Sequence, residues 1–331
     1  MRSLITGRRP LLAAVLPALA APALLPTGAL AQGATFPNRP IRLVVAFAAG
    51  GNSDTMSRLI QPRLSEFLGQ PVVVENRAGA GGALAAGQVA GAPADGHTLF
   101  FDAASFIIAQ FIHRNLPFDY EKDFQPVGMV AEVPYILAVT TGTGIRDLKG
   151  YLEQARIARD GMSFGSPGVG NTGHLAGALL AHRSGTKMEH IPYRGGAEVA
   201  RDLAAGTLPS GYLSLNSLSP VLESGKARAI ALTSGTRMGI ESVPTIAESG
   251  FPGFDLTSWN AIFCRTGTPE PIRRKLEEAV NFATQDAEVR QRLAAMGATA
   301  VPADADRLAA RLVSERVLVQ NLMRDTGISF G

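Results

Sequence analysis

A chain of 331 residues with 31 Lys and Arg against 28 Asp and Glu carries a formal charge of +3, and Arg2, Arg8 and Arg9 account for all of it. The remainder is neutral overall, which excludes a basic nucleic-acid-binding surface as its organising feature. A hydrophobic fraction of 46% with 36 glycines fits a compact α/β protein rich in tight turns, and a single cysteine, Cys264, excludes an internal disulfide.

The first residues read as an export signal. The three arginines precede an apolar stretch from Leu11 to Leu25, and Ala29-Leu30-Ala31 supplies a small-x-small cleavage pattern. Residues 1–31 are therefore predicted to be removed, so that the mature chain begins at Gln32. Pro17, Pro22 and Pro26 make the stretch a poor membrane span. Arg8-Arg9 leaves a twin-arginine route open beside the general secretory one. The roughly 300 residues that remain exceed one comfortable core and predict two lobes.

From Ile41 onward, short apolar runs alternate with helical patterns. Ile41–Phe47 reads as a strand covered on both faces. Met56, Leu59, Ile60, Leu64, Phe67 and Leu68 then recur at helical spacing, and Gly69 ends that helix. Pro71–Glu75 predicts a second strand, a glycine loop from Asn76 to Gly82 and a short Ala-rich helix follow, and Thr98–Phe101 predicts a third strand. This βαβαβ order implies a mostly parallel sheet. The middle repeats the theme, with strands at Tyr135–Thr140, Met162–Gly165, Lys187–Ile191 and Ala227–Thr233, and helices at Asp147–Arg159 and through Leu175 to His182. An apolar run around Trp259–Phe263 precedes helices at Pro269–Ala283 and Ala305–Asp325. Cys264 belongs to that run and reads as a buried small hydrophobe. No long linker separates the lobes, so the chain is expected to cross between them on strands.

Two loops share the layout strand, glycines, small polar residues, helix. One is Phe47-Ala48-Ala49-Gly50-Gly51-Asn52-Ser53-Asp54, and the other runs from Ser166 to Gly173. A helix N-terminus leaves N–H groups unpaired and carries partial positive charge, so it attracts a carboxylate or phosphate. Asn52, Ser53, Ser166, Asn171 and Thr172 can add hydroxyl or amide contacts. Such residues also cap helices and permit turns; their occurrence in both halves fits an anion site as well. Asp54 is an awkward partner for an anion and reads as first-turn capping.

Two enzyme signatures compete with that reading. Gly161-Met162-Ser163-Phe164-Gly165 matches the G-x-S-x-G nucleophile elbow. Its relay needs an acid and then a histidine downstream. Glu189 and His190 are adjacent on a predicted strand, so they point to opposite sides, and Ser163 reads as a strand residue. Gly168-Val169-Gly170-Asn171-Thr172-Gly173 matches the dinucleotide fingerprint G-x-G-x-x-G in the right strand-to-helix context, with Glu189 near the end of the next strand. An exported nicotinamide-dependent oxidoreductase is therefore the alternative. Zinc-protease and Walker A motifs are absent, the histidines are scattered, and neither metal nor cofactor is predicted.

The sequence resembles the Bug-type periplasmic substrate-binding proteins of tripartite tricarboxylate transporters. The blocks that carry the resemblance run in order along the chain: Phe36 to Ile41, Gly50-Gly51 with Asp54, Val72 to Gly82, Ala94 to Leu99, Gly168 and Gly170 leading to His174-Leu175-Ala176, Ile191 to Gly195, Gly225 to Ala229, Val243 to Gly250, and Ser258-Trp259. The resemblance implies an α/β, type II periplasmic-binding-protein fold of two lobes that close on a ligand, with strands crossing between them. Lobe 1 is expected to comprise residues 36–134 plus 258–331, and lobe 2 residues 135–257. It also implies a monomeric extracytoplasmic protein, localised in the periplasm, that captures a small carboxylate (an organic acid or an amino acid) for the membrane components of the transporter. It is not expected to be an enzyme.

Carried onto this sequence, the ligand-binding residues are Gly50, Gly51, Asn52 and Ser53 of the first loop and Ser166, Gly170, Asn171 and Thr172 of the second. Ser105 forms a further wall, and Phe47 and Trp259 shape the cleft or belong to the core. Ala46 and Ala49 stand where the family carries prolines, and Cys264-Arg265 replaces an Ala-Pro pair. Gly211 to Asn216 lacks the family's usual pattern. Asp102 replaces a small neutral residue at a strand end; facing a ligand, it would repel a second carboxylate and favour an amino or amide group.

Overall fold

The computed structural model describes residues 36–113 and 115–326; the predicted export signal lies outside the described residues. In the first strand, β1 (Ile41–Val45), side chains alternate between two apolar layers. Leu43 and Val45 pack with Met56, Ile60 and Leu64 of helix α1 (Asn52–Leu68). Val44 faces the other side, with Ala85, Ala86 and Val89 of α2 (Ala83–Ala90). Burial on both faces is what the continuous apolar run encodes. α1 ends at Gly69, whose φ of 65° takes the left-handed conformation that lets its N–H close on Ser65 O.

Strands β2 (Val72–Asn76) and β3 (Thr98–Ala103) flank β1 in parallel, and α3 (Ser105–Ile112) follows β3. β4 (Phe124–Thr140) is 17 residues long. Then come α4 (Leu148–Ile157), β5 (Met162–Ser166), α5 (Thr172–Ser184), β6 (Met188–Pro192), α6 (Gly196–Ala205), β7 (Ser210–Ser214), α7 (Leu215–Glu223) and β8 (Ala227–Leu232). The chain closes with β9 (Thr257–Arg265), α8 (Glu270–Gln285), α9 (Ala287–Ala295), β10 (Thr299–Ala300) and α10 (Ala305–Thr326).

The strands follow the order β2-β1-β3-β9-β4-β7-β5-β6, with β8 and β10 also paired to β4. β4 changes neighbours along its length: Phe124 to Pro134 pair with β9, whereas Tyr135 onward pairs with β7 and β8. The two lobes thus share one continuous strand. The βαβαβ stretch forms parallel ladders as expected, while the sheet as a whole is mixed. β1–β2, β1–β3, β5–β6 and β5–β7 are parallel, but β3–β9, β9–β4, β4–β7 and β4–β8 are antiparallel. Each crossing between lobes reverses the chain direction, so the crossover strands oppose their neighbours. The first half of β4 was not predicted, because Pro126, Gly128 and Pro134 break its apolar pattern; the ladder absorbs them with irregularities at Pro126/Gly128 and Met129/Ala131.

α10 braces the crossing. Its Arg311 donates to Glu132 on β4, to Glu315 at 2.6 Å and to Thr257 O and Oγ1 at 3.1 and 2.7 Å. Trp259 on β9 is fully buried and donates its indole N–H to Glu315 at 2.9 Å. Burial raises the Glu315 carboxyl, and Arg311 and Trp259 oppose that rise. Trp259 is therefore a core residue tied to α10, and Cys264 is likewise buried.

Candidate functional site

α1 begins at the C-terminal end of β1, where the glycine turn Ala48 to Gly51 lets the chain reverse into the helix. Its N-cap is Gly51, with φ −76° and ψ 171°, and no side chain caps the helix. Most helices place Ser, Thr, Asp or Asn there to satisfy the first N–H groups. Asp54 turns back instead, accepting from Gly50 N–H at 2.8 Å, from Arg58 Nε at 2.9 Å and from Asn76 Nδ2 at 2.9 Å. Burial pushes its carboxyl up, but these donors outweigh burial and hold it below the usual value. Asp54 therefore closes the loop rather than capping the first turn, the role expected of it from the sequence.

The other residues of this loop join separate parts of the chain. Ser53 is buried, and its Oγ accepts from Asn260 Nδ2 on β9 at 2.8 Å. Asn52 Oδ1 accepts from Asn216 Nδ2 at 3.2 Å, a contact between the first loop and the start of α7. Phe47 is half-buried against the core, and its carbonyl accepts from Asn76 Nδ2 at 3.0 Å. Asn216 and Asn260 carry no sequence signal, since their partners lie 164 and 207 residues away.

The second loop uses its polar groups differently. Asn171 is the N-cap of α5; its Oδ1 accepts from Gly173 N–H at 2.8 Å and His174 N–H at 3.1 Å. Its Nδ2 donates to Gly168 O at 2.7 Å and Ser166 Oγ at 3.1 Å. Ser166 is fully buried, with Oγ 2.7 Å from His190 Nε2. His190 stacks on His174 with ring centroids 3.8 Å apart, and Gly170 N–H donates to His174 Nδ1 at 3.1 Å. Burial holds His174 down at about 4, and burial with the neighbouring His174 holds His190 down at about 3, so both are neutral near pH 7. Sequence reading missed this histidine pair, because no spacing rule joins an α5 residue to a β6 residue.

Gly170 marks a contact between the lobes. Its φ is +74°, and a Cβ there would lie 2.4 Å from Ile108 Cγ2 of α3. The closest approach that this glycine permits is thus to protein. Thr172 is buried and lines a small cavity of about 40 Å³ with Ile107, Ile108, Leu318 and Val319. A cavity of about 520 Å³ lies beside the α10 brace, with Glu132, Asp255, Thr257, Arg307, Arg311 and Glu315 in its wall. None of the residues predicted to bind ligand lines it, and the hydrogen bonds of Arg311 give it a structural reading.

Ser105 starts α3 and donates to Asp102 Oδ1 at 2.7 Å, where Ala103 N–H also donates at 2.8 Å. Asp102 is fully buried at the end of β3, and burial pushes its carboxyl up to about 7 against those two hydrogen bonds. Ser163 lies within β5, not at a strand-to-helix turn, and Glu189 is exposed, so the elbow geometry is not formed.

The geometry has close counterparts. Residues 56–326 match the model of the tripartite tricarboxylate transporter family receptor. BugT of Bordetella pertussis is 32% identical over 296 residues, which cover 88% of this chain and 91% of that protein. The solved structure of R. palustris Rpa4515 with adipate superposes with a TM-score of 0.81 at 32% identity, covering 89% of this chain and 99% of that one. MatC from Rhodopseudomonas palustris with bound malate gives a TM-score of 0.71 at 32% identity, covering 89% and 100%. The shared-strand, two-lobed architecture and a family match across most of the chain lead to one conclusion: the protein belongs to the tripartite tricarboxylate transporter receptor family.

Proposed function

We propose that this protein captures a small carboxylate between its lobes, outside the cytoplasm, and delivers it to the membrane components of a tripartite tricarboxylate-type transporter. The observation that carries the reading is the start of α1, where Gly51 caps the helix with no side chain. The first-turn N–H groups and the helix dipole are thereby offered to an anion. Asn52 and Ser53 border that turn, while the second wall comprises Ser166 bonded to Asn171, Gly170 bonded to His174, and the buried Thr172. Adipate and malate, bound to two relatives, are anions of the class such a site takes.

The lobe boundary is proposed at 134/135 and 257/258, supported by the change of β4 partners between Pro134 and Tyr135. Residues 1–31 act as the export signal, by the general secretory or the twin-arginine route, and the mature protein works as a monomer without catalytic activity. The dinucleotide alternative is disfavoured, because Ile108 presses on Gly170 and Asn171 occupies the Gly173 and His174 N–H groups.

A thermal-shift screen of the purified protein against mono-, di- and tricarboxylates, amino acids and dinucleotides tests the reading. A carboxylate at 100 times its dissociation constant should add about 2.7 kcal/mol of stability. A rise with a dinucleotide and with no carboxylate would sink the proposal.

A further inference from the structure

Among the described residues, Asp102 is the one buried acid whose hydrogen bonding is incomplete. It is 0% exposed, and Oδ1 takes both of its hydrogen bonds, from the Ser105 hydroxyl and the Ala103 N–H. Oδ2 has no partner, and neither has the hydroxyl of Tyr120, which is 3% exposed. Asp102 acts on Tyr120: burial first, and then the charge of Asp102, raises the Tyr120 phenol. Both neighbours of Oδ1 are neutral, so the carboxylate is buried without a cation. Such a group is costly unless it is paired and fully hydrogen-bonded.

The place of this oxygen matters as much as its lack of a partner. A Cβ on Gly82 would lie 3.4 Å from both Asp102 Oδ2 and Ala46 Cβ, so Oδ2 sits beneath the glycine loop that ends at Gly82. The loop residues Gly79, Ala80 and Gly81 are exposed, which leaves a thin cover of small residues over a buried charge. On one side Ala46 opens into the first glycine loop; its N–H bonds to Phe101 O, beside Asp102. On the other side α3 begins at Ser105 and carries Ile108 onto Gly170 of the second lobe. Asp102 thus lies under Gly82, next to the strand that leads into the first glycine loop and at the start of the helix that reaches Gly170. Its oxygen and the Tyr120 oxygen are both able to accept, and Phe106, Phe118 and Phe124 surround the phenol with aromatic rings. Two acceptors and an aromatic rim match a primary ammonium group.

We infer that Asp102 and Tyr120 form the specificity end of the site and select a carboxylate that also carries an amino group over an unsubstituted dicarboxylate. This rests on the carboxylate-binding reading above, with α1 holding the ligand carboxylate and Asp102 the ammonium. A second carboxylate in the same position would meet a like charge inside the protein and be rejected.

Calorimetric titration with length-matched sets tests the inference: succinate, 4-aminobutyrate and butyrate; glutarate, 5-aminopentanoate and pentanoate; aspartate and glutamate as α-amino diacids. At least one amino member should bind ten-fold or more tightly than the dicarboxylate of its length. Asp102→Asn keeps the shape and turns Oδ2 into a donor; it should cost the amino ligand at least ten-fold and narrow or reverse the preference. Tyr120→Phe removes only the phenol oxygen and should weaken the amino ligand by about three-fold or more, while leaving butyrate and pentanoate unchanged. Thermal melts of both variants establish that they fold. Preference for the dicarboxylate in the unaltered protein, or the same preference in Asp102→Asn, overturns the inference and leaves the carboxylate reading intact. Failure of every carboxylate to bind overturns both.

Discussion

α1 and α5 both start from a glycine turn at the C-terminal end of a parallel strand, and their sequences share a layout. Their N-termini are nonetheless used in opposite ways. α1 has a glycine at its cap, and its first-turn acid, Asp54, bonds backward to Gly50. α5 has Asn171 at its cap, with oxygen and nitrogen both spent inside the loop. One end has no side-chain cap, which is why it is proposed to hold the ligand; the other is closed on itself and backed by a neutral histidine pair. A shared motif fixes the path of the backbone, but the identity of one cap residue decides whether the N–H groups are available.

The largest effect is expected from closing the open end. Gly51 has an extended backbone that any residue can adopt, although a Cβ would approach Ala48 O at 3.2 Å. Gly51→Asp should cap α1 and set a negative charge where the carboxylate is proposed to bind. Affinity for carboxylates is expected to fall at least 100-fold by calorimetry, about 2.7 kcal/mol, while the melting temperature stays within a few degrees.

Acid attacks the other loop. His174 and His190 are held at about 4 and about 3, below the 6.5 of an unfolded histidine, so the unfolded chain takes up protons first as pH falls. Their contribution is intact above about pH 6.5 and is lost progressively as pH falls toward 4 and then 3. Urea midpoints should drop between pH 7.5 and 4.5, and His190→Gln should flatten that slope. A slope that survives the substitution would place the acid sensitivity elsewhere.

Breaking the closed cap is next. Asn171→Ala removes the cap of α5 and the ties to Ser166 and Gly168, and should cost about 1–2 kcal/mol in denaturant titrations. If the loops differ as described, it weakens ligand binding far less than Gly51→Asp does. The smallest effect concerns the neutral hydrogen bond between Asn52 and Asn216. Asn216→Ala should weaken a bound carboxylate by about two- to five-fold, within the ~1 kcal/mol range of one such bond.

The outlines of α1, β1, β2 and β5 were legible because local periodicity and the glycine stops determine them. Asp54 was legible as a polar residue fixed within the loop, but not in its role: its position suggests capping of the first turn, whereas it accepts from Gly50 before the helix, from Arg58 and from the distant Asn76. β4 before Tyr135 was not, since its prolines and Gly128 are tolerated only by the irregular ladder with β9. The site was read as two equivalent loops. Chemical type located the polar residues Ser166 and Asn171, but their orientation depends on His190 and Gly168, which residue type cannot reveal. The meeting of Ser53 with Asn260 and of Asn52 with Asn216 arises from the crossing of the chain between lobes, a long-range property invisible to local pattern.

The position of β9 in the sheet has a consequence for synthesis. It lies between β3 and β4, although about 120 residues follow β4 before β9 begins. A nascent chain shorter than residue 265 leaves an unpaired edge on β3 and another on β4, so the first lobe cannot close on its own. Completion of the first lobe waits for the last quarter of the polypeptide, whereas the strands that pair with the second half of β4 are all made by residue 232.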